Sequence, residues 1–302
     1  MKKLIAILTL AGAAAACSTA GQVVPGARTS RAPNTAQSPA GSAAPPAPAT
    51  TAPGTTQVTL YYLVEGSDEL FLTAERHTVT ATRAIAKAAL KELLHGTPQD
   101  DDHVMPFPKG TDVDSIVIDD GVATVDWNAA VLTGNGGSDV EALAIQSIVY
   151  TLTEFASISK VRFTVEGKDR GTASNGRTIE DFWGHAGLAG QPWDRQPEID
   201  VLAPITLWTP LEDTGSAGIL KLTGLAQTFE ANVGIILRDA SGTIVKQTSA
   251  TALEAAPARE PFSKKITFTP PSTPQTWTLQ VFEASAMDGS MVFLEDRSIR
   301  VG

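Results

Sequence analysis

The single cysteine of this chain limits how the protein can be stabilised. Cys17 is the only cysteine among 302 residues, so no intramolecular disulfide can form and every folded domain depends on its hydrophobic core. It follows a basic Lys2-Lys3 pair and an apolar or small run from Leu4 to Ala16. This pattern is typical of a secretory signal peptide. The run is shorter than the ~20 apolar residues that a membrane-spanning helix needs.

The junction between Ala16 and Cys17 resembles the signal of bacterial lipoproteins. In that class the signal is cleaved immediately before a cysteine whose sulfur carries a diacylglyceryl group. The resemblance implies that residues 1–16 are removed and that acyl chains such as palmitate on Cys17 hold the protein at the extracytoplasmic face of the cell membrane. Several acyl chains anchor a protein stably, whereas one chain binds only marginally. An ordinary secretory signal beside a chance cysteine is the alternative.

The charge of the chain bears on its partners. The formal net charge is −10, and the loss of Lys2 and Lys3 with the signal makes it −12. Such a negative surface disfavours nucleic acid and anionic lipid headgroups. We therefore expect no nucleic-acid partner, and membrane contact through the lipid on Cys17 alone.

The segment after the cysteine is unlike a folded domain. Residues 17–56 consist almost entirely of Ala, Pro, Ser, Thr and Gly, with only Arg28 and Arg31 charged. Such a composition cannot bury enough apolar surface to offset chain entropy. We expect a disordered tether that lets the folded part act away from the bilayer.

Residues 57–181 alternate between strand and helix patterns. Strand alternation at 57–64 and a second extended stretch precede a helical period over 83–95, which Gly96 and Pro98 end. The Asp120-Gly121 pair predicts a type I′ hairpin. Ser138 and Glu141 have the spacing of a capping box at the start of a second helix. Alternation at 160–168 closes the order ββαββαβ, which predicts an α+β domain with two helices on one face of a small sheet.

Residues 197–302 have an all-β pattern. They follow an interdomain segment at 182–196 and contain seven short β-runs separated by turn signals, the first at 199–204. This number and spacing of strands predicts an immunoglobulin-like sandwich.

Both folded regions resemble known families. The first is similar to the GerMN domain of sporulation and spore germination proteins, through "VTLYYL", "ALKELLHGTP", "FPKGTDVDSIVIDDGVATVDW", "QSIVYTLTEF" and "VRFTVEGK". The second is similar to the Gmad-type immunoglobulin-like domain through "TLQVFEASAMDGS". The resemblance implies a non-catalytic envelope protein, related to modules that build rings or bind partners, and it supplies no active site.

Two loops contain residues that could carry chemistry. "HGTPQDDDH" at 95–103 clusters two histidines and three aspartates, but its spacing is not that of a zinc site. We expect a solvated loop there, with weak calcium binding as the alternative. "TGNGGSD" at 133–139 lacks the lysine of a phosphate loop and is expected to be a loop with a helix cap. None of His77, His95, His103 and His185 has a local nucleophile partner, so we expect no catalytic residue, metal or cofactor.

The interdomain segment contains two tryptophans, Trp183 and Trp193. Because tryptophan is mostly buried, these indoles are expected to pack at the joint between the domains. The alternative is that they are exposed and form an interaction surface for a glycan or a protein.

Three hypotheses about function follow from these patterns. The favoured one is a lipid-anchored binding or assembly module that acts on envelope proteins or peptidoglycan. A wall-active hydrolase that uses paired carboxylates is the second. The third is a self-associating ring or scaffold component, as the resemblance to ring-building domains suggests.

Overall fold

The computed structural model describes residues 54–66, 69–184 and 187–302. The predicted signal, Ala16, Cys17, the tether as far as residue 53, and His185 lie outside these ranges. None of the helices in the described ranges is long and apolar enough to cross a membrane.

The first domain has the predicted order of elements. Its strands and helices are β1 Thr55–Glu65, β2 Leu70–Thr80, α1 Ile85–His95, β3 Val113–Asp119, β4 Val122–Trp127, α2 Ser138–Thr153 and β5 Lys160–Val165. A short 3₁₀ helix, Ala129–Thr133, precedes α2. The mixed α+β class predicted from the sequence is confirmed.

The strands of this domain do not form the single sheet that the sequence predicted. β1 and β2 form an isolated antiparallel hairpin, while β3, β4 and β5 form a second sheet in which β4 and β5 are parallel. Each helix contacts both the hairpin and the three-stranded sheet. The helices therefore join two sheets instead of covering one.

Two local predictions near turns have different outcomes. The β3–β4 hairpin is confirmed, because Asp120 and Gly121 both have positive φ, 45° and 77°, as a type I′ turn requires. The capping box at Ser138 is wrong by one residue. Gly137 is the N-cap, and its carbonyl accepts the N–H of Glu141 at 3.0 Å, so Ser138 is already the first helical residue.

The second domain is a sandwich of two sheets. Its elements are α3 Glu198–Val201, β6 Ile205–Thr209, β7 Thr214–Ser216, β8 Ile219–Ala226, β9 Asn232–Arg238, β10 Ile244–Thr251, β11 Glu260–Thr267, β12 Gln275–Ala284 and β13 Met291–Val301. One sheet has the order β10-β9-β12-β13-β7, and the other β11-β8-β6. The predicted first strand at 199–204 is wrong: its first three residues belong to α3, and after the helix the Ala203 N–H donates to the Leu72 carbonyl of β2 at 2.8 Å.

The β1–β2 hairpin belongs to the cores of both domains. Leu60 and Tyr62 lie in the core of the first domain, with β4, β5 and one face of each helix. Val64 and Phe71, at the tip, lie in the core of the sandwich. Leu72 packs with residues of α2 and α3 in a third cluster between them. This double use explains why β1 is buried on both faces. The described residues from 54 onward form one compact unit.

Candidate functional site

Six ionisable residues are buried together where the two domains meet. Every member of this seam cluster is less than 5% exposed, and the members are Glu75, His77, Asp100, His103, Glu295 and Arg297. The first four come from the first domain and the last two from β13. Buried charges are costly unless they are paired, so this cluster is the most specific polar feature of the contact.

Glu75 is the centre of the cluster. Its carboxylate lies 2.6 Å from His77 Nε2 and 2.6 Å from His103 Nδ1. It also accepts the backbone N–H of Gln99, at 2.9 Å and 2.8 Å to its two oxygens. Burial alone would raise the pKa of Glu75, but the hydrogen bonds from the two histidines and from Gln99 outweigh it and lower the pKa to about 2.

His103 connects Glu75 to the second domain. Its Nε2 lies 3.6 Å from Glu295 Oε1 and 3.9 Å from Asp100 Oδ2. Burial acts to lower the pKa of His103, but the carboxylates of Glu295 and Glu75 outweigh it and raise the pKa to about 9. At neutral pH the ring is therefore protonated.

Arg297 closes the cluster from the second domain. Its guanidinium contacts the Asp100 carboxylate across the seam and lies 2.5 Å from Glu295 Oε1 on its own strand. Burial lowers the pKa of Arg297 to about 10 and raises the pKa of Glu295. One side chain thus pairs with carboxylates of both domains.

The loop at 95–103 differs from the sequence expectation. Asp101 and Asp102 are exposed, as predicted, and His95 lies at the surface 3.4 Å from Asp112. Asp100 and His103 are buried, however, so the prediction of a solvated loop is wrong at these two positions. The loop folds back onto β2, where the Asp100 N–H points to Glu75 at 3.3 Å, and β13 covers it.

A cleft runs along the same seam. Two adjoining cavities of about 260 Å³ and 280 Å³ share Ala74, Arg76 and Trp208, and the Arg76 guanidinium stacks on the Trp208 ring 4.2 Å from its centroid. We call these cavities the seam cleft. Both domains line it, so the cleft exists only while they are in contact.

Arginines line one end of the seam cleft. Arg259 donates to the Ala203 carbonyl at 2.7 Å and to Thr206 Oγ1 at 2.6 Å, and none of the described carboxylates lies within ion-pair distance of it. Arg195 pairs with Glu154 at 2.6 Å. Glu154 and Glu198 also line this end, so the surface offers guanidinium groups and carboxylates side by side next to an indole.

The two tryptophans of the interdomain segment pack against the first domain. Trp183 is 7% exposed and donates from Nε1 to the Val131 carbonyl at 2.6 Å. Trp193 exchanges two backbone hydrogen bonds of 2.8 Å with Val161, which extends the edge of β5. Trp183 therefore has little surface left for a partner. An interaction surface at the partly buried Trp193 stays a prediction.

Three atoms of the seam cluster have the arrangement of metal ligands. His103 Nε2 and one carboxylate oxygen each from Asp100 and Glu295 all lie within 4.8 Å of one another. The spacing of residues along the chain could not predict this group, because Glu295 is far away in sequence. A signal is nevertheless present in β13, where Glu295 and Arg297 occupy inward positions between Phe293 and Ile299.

Comparisons with known proteins agree with the fold. Residues 59–171 match the Germane model, described as sporulation and spore germination, and residues 205–290 match Gmad2, described as the immunoglobulin-like domain of bacterial spore germination. Among curated proteins, none matches the chain.

Two solved structures are similar to part of the chain. The tandem GerMN domains of the sporulation protein GerM from Bacillus subtilis match at 26% identity and a TM-score of 0.37, over 47% of this chain and 46% of that one. The first GerMN domain of GerM matches at 24% identity and a TM-score of 0.33, over 42% of this chain and 96% of that one. The chain thus spans less than half of the tandem GerM structure. On the two family matches, residues 59–171 are a GerMN-like region and residues 205–290 a Gmad2-like immunoglobulin region, and the chain is related to proteins of sporulation and spore germination.

Proposed function

We propose that this protein is a lipid-anchored binding or assembly module of the bacterial cell envelope and that it acts without catalysis. The observation that carries the proposal is the seam cleft, which both domains build and which neither domain has alone. A partner in this cleft contacts the two domains at once. Envelope proteins and peptidoglycan are the partners that we infer.

The seam cluster supports a rigid module. His103 and Arg297 take part in ion pairs that connect the GerMN-like domain with the last strand of the sandwich, since His103 faces Glu295 and Arg297 faces Asp100. The tip of the β1–β2 hairpin adds apolar contacts in the core of the second domain. A partner is then bound by a preformed surface, which lowers the entropy cost of binding.

The same cluster favours a non-catalytic role. His77 and His103 are the buried histidines of the described chain, and both are engaged with carboxylates inside the seam. Within the described ranges, the hydrogen-bond partners of these two rings are carboxylates, and neither ring is bonded to a serine hydroxyl or a cysteine thiol that could act as a nucleophile. The buried acids and bases thus serve the contact between the domains.

The N-terminal sequence supports the location. Cleavage between Ala16 and Cys17 followed by lipidation of Cys17 would place the module at the extracytoplasmic face of the membrane, on the tether of residues 17–56. The charge of −12 that remains after loss of Lys2 and Lys3 favours attachment by lipid over attachment by the protein surface.

Self-association is a second candidate function, and one observation favours it. β3 is an edge strand that pairs only with β4 among the described strands, and Val117 and Ile118 on it are 61% and 43% exposed. Exposed apolar edge strands are templates for pairing with another chain. Light scattering at increasing concentration tests this: mass that grows with concentration supports assembly, and a constant monomer mass contradicts it.

Crosslinking in intact cells tests the main proposal. The native protein is compared with Cys17→Ser, which cannot be lipidated. We expect the native protein to fractionate with membranes and to capture defined envelope proteins or wall fragments that the variant loses. Unchanged membrane location and partners in Cys17→Ser would contradict lipid anchoring. Turnover of peptidoglycan or of an ester by the purified protein would contradict the non-catalytic role.

A further inference from the structure

We propose that the seam cluster is a binding site for one divalent transition-metal ion, with Asp100, His103 and Glu295 as its ligands. The three donor atoms lie within 4.8 Å of one another, and all three residues are buried. Ligands around one metal ion, each ~2.0–2.2 Å from it, have separations of this order. Two of the ligands belong to the first domain and one to the second, so the ion would connect the domains.

The imidazole of His103 is the observation that distinguishes this site from an ordinary acidic cluster. Its side chain is 2% exposed, and its Nε2 has no hydrogen-bond partner. The nearest carboxylate oxygens, Glu295 Oε1 and Asp100 Oδ2, lie 3.6 Å and 3.9 Å away, beyond hydrogen-bond distance, and both also contact the guanidinium of Arg297. A buried polar atom without a partner normally has a specific reason.

Glu75 orients this histidine as residues around metal sites do. Its Oε1 lies 2.6 Å from His103 Nδ1, so the proton of a neutral ring is held on Nδ1 and Nε2 is left as a donor for a metal. A carboxylate behind a metal-binding histidine fixes the tautomer and raises the basicity of the ligand. Glu75 is therefore assigned as a positioning residue.

The charge count of the cluster agrees with a divalent ion. Glu75, Asp100 and Glu295 are buried carboxylates, and Arg297 is the buried guanidinium that faces them. With neutral imidazoles, the carboxylates exceed the guanidinium by two charges. One divalent cation would supply the two positive charges that balance this excess. In a protein without metal, protons on His77 and His103 would supply them.

The ligand types favour one class of metal. An imidazole nitrogen with two carboxylate oxygens suits Zn²⁺, Mn²⁺ or Co²⁺, while Ca²⁺ and Mg²⁺ prefer oxygen ligands alone. A cavity of about 300 Å³ reaches Asp100 and Glu295 from the surface and is also lined by Glu65, Asp102 and Asp296. This acidic lining would attract cations to the site.

Zinc binding by the full-length protein tests the proposal. The Cys17→Ser chain is used in detergent so that no thiol can bind zinc, and bound metal is first removed with a chelator. We expect one Zn²⁺ per chain after gel filtration, measured by elemental mass spectrometry. X-ray absorption of the zinc-loaded protein should show nitrogen and oxygen neighbours at ~2.0–2.2 Å and no sulfur.

A pair of histidine variants locates the ion. His103→Gln should weaken zinc affinity at least tenfold, whereas His95→Gln, at an exposed histidine beside Asp112, should leave it unchanged. Glu75→Gln should weaken affinity by ~10–100-fold, as changes behind metal ligands do. Far-ultraviolet circular dichroism checks that each variant is folded. If a variant fails to fold, the X-ray absorption spectrum of the zinc-loaded protein with an unmutated site still tests the proposal.

Two results would overturn the inference. Absence of bound Zn²⁺, Mn²⁺ and Co²⁺ at excess metal would mean that protons neutralise the cluster. Equal zinc binding by His103→Gln and by the unmutated site would place the ion elsewhere. Neither result bears on partner capture in cells, so the inference and the proposed function can fail separately.

Discussion

Phe71 and Phe293 meet edge to face, with their ring centroids 5.8 Å apart and their planes at 83°. Phe71 lies on the β1–β2 hairpin of the GerMN-like domain, and Phe293 lies on the last strand of the sandwich. Both rings are buried in the core of the second domain. The first domain thus supplies part of the second domain's core, which makes the stability of each depend on the other.

Removal of the Phe71 ring should destabilise the protein strongly. Phe71→Ala is expected to lower the free energy of unfolding by ~3–5 kcal/mol, because it leaves a cavity in the core of the sandwich. Urea unfolding followed by tryptophan fluorescence measures this loss. Phe229→Ala is the matched control, since the side chain of Phe229 is 57% exposed, and it should change stability by less than ~0.5 kcal/mol. Equal effects of the two variants would contradict the shared core.

Loss of the guanidinium at the seam should also be costly. Arg297→Met removes the guanidinium from the buried carboxylates of Asp100 and Glu295 and leaves His103 as the cation beside them, and breaking a buried pair in this way costs ~3–5 kcal/mol. Arg300→Met removes an exposed arginine that lies 3.5 Å from Asp213, and should cost at most ~1 kcal/mol. Urea unfolding at neutral pH compares the two. A small effect of Arg297→Met would mean that the seam cluster contributes little to stability.

The stability of the metal-free protein should have a maximum in mildly acidic solution. His103 has a folded pKa of about 9 against an ordinary value of 6.5, so its contribution is complete below pH ~6.5 and is lost as the pH rises through about 9. Glu75 has a folded pKa of about 2 against 4.5, so its contribution is complete above pH ~4.5 and is lost as the pH falls towards about 2. In unfolding experiments with a chelator, the free energy of unfolding should therefore be highest and nearly constant between pH ~4.5 and pH ~6.5.

One variant checks the alkaline side of this profile. His103→Gln cannot take up a proton, so the fall in stability between pH ~6.5 and about 9 should be smaller than in the unmutated protein. His95→Gln, at the surface, should retain the original profile. An unchanged alkaline slope in His103→Gln would show that another group causes it.

The seam cleft should be the surface that captures partners. Arg76→Ala removes the guanidinium that stacks on Trp208 and should reduce crosslinked partner in cells several-fold. Stability should change by only ~0.5–1 kcal/mol, as expected for an exposed cation–π contact. Arg170→Ala is the control, because this exposed arginine lies outside the cleft beside Asp169. Equal capture by both variants would place the binding surface elsewhere.

The sequence predicted those features that depend on short-range patterns. The Asp120-Gly121 turn, the helix that ends at His95 and the alternation of β5 are all present as predicted. The resemblance to both spore germination families is confirmed by the family matches. Each of these features depends on residues close together in the chain or on an extended family pattern.

The errors come from contacts between distant residues. Asp100 is buried because Arg297 covers it from the other domain, a contact across almost two hundred residues that local spacing cannot predict. The segment at 199–204 has the apolar composition of a strand, but it starts inside the short helix α3, which ends at Val201, and only Leu202 forms a single β-bridge with Leu72 of the hairpin. Ser138 has the spacing of a capping residue, whereas the positive φ of Gly137 puts the cap one residue earlier.

Calorimetric unfolding of the full-length protein tests most directly whether the two domains form one unit. We predict a single transition whose calorimetric and van't Hoff enthalpies agree, since the hairpin and the seam cluster couple the cores. Phe71→Ala should shift this whole transition to lower temperature. Two separate transitions, with Phe71→Ala affecting only one of them, would contradict the coupling and with it a binding surface that requires both domains.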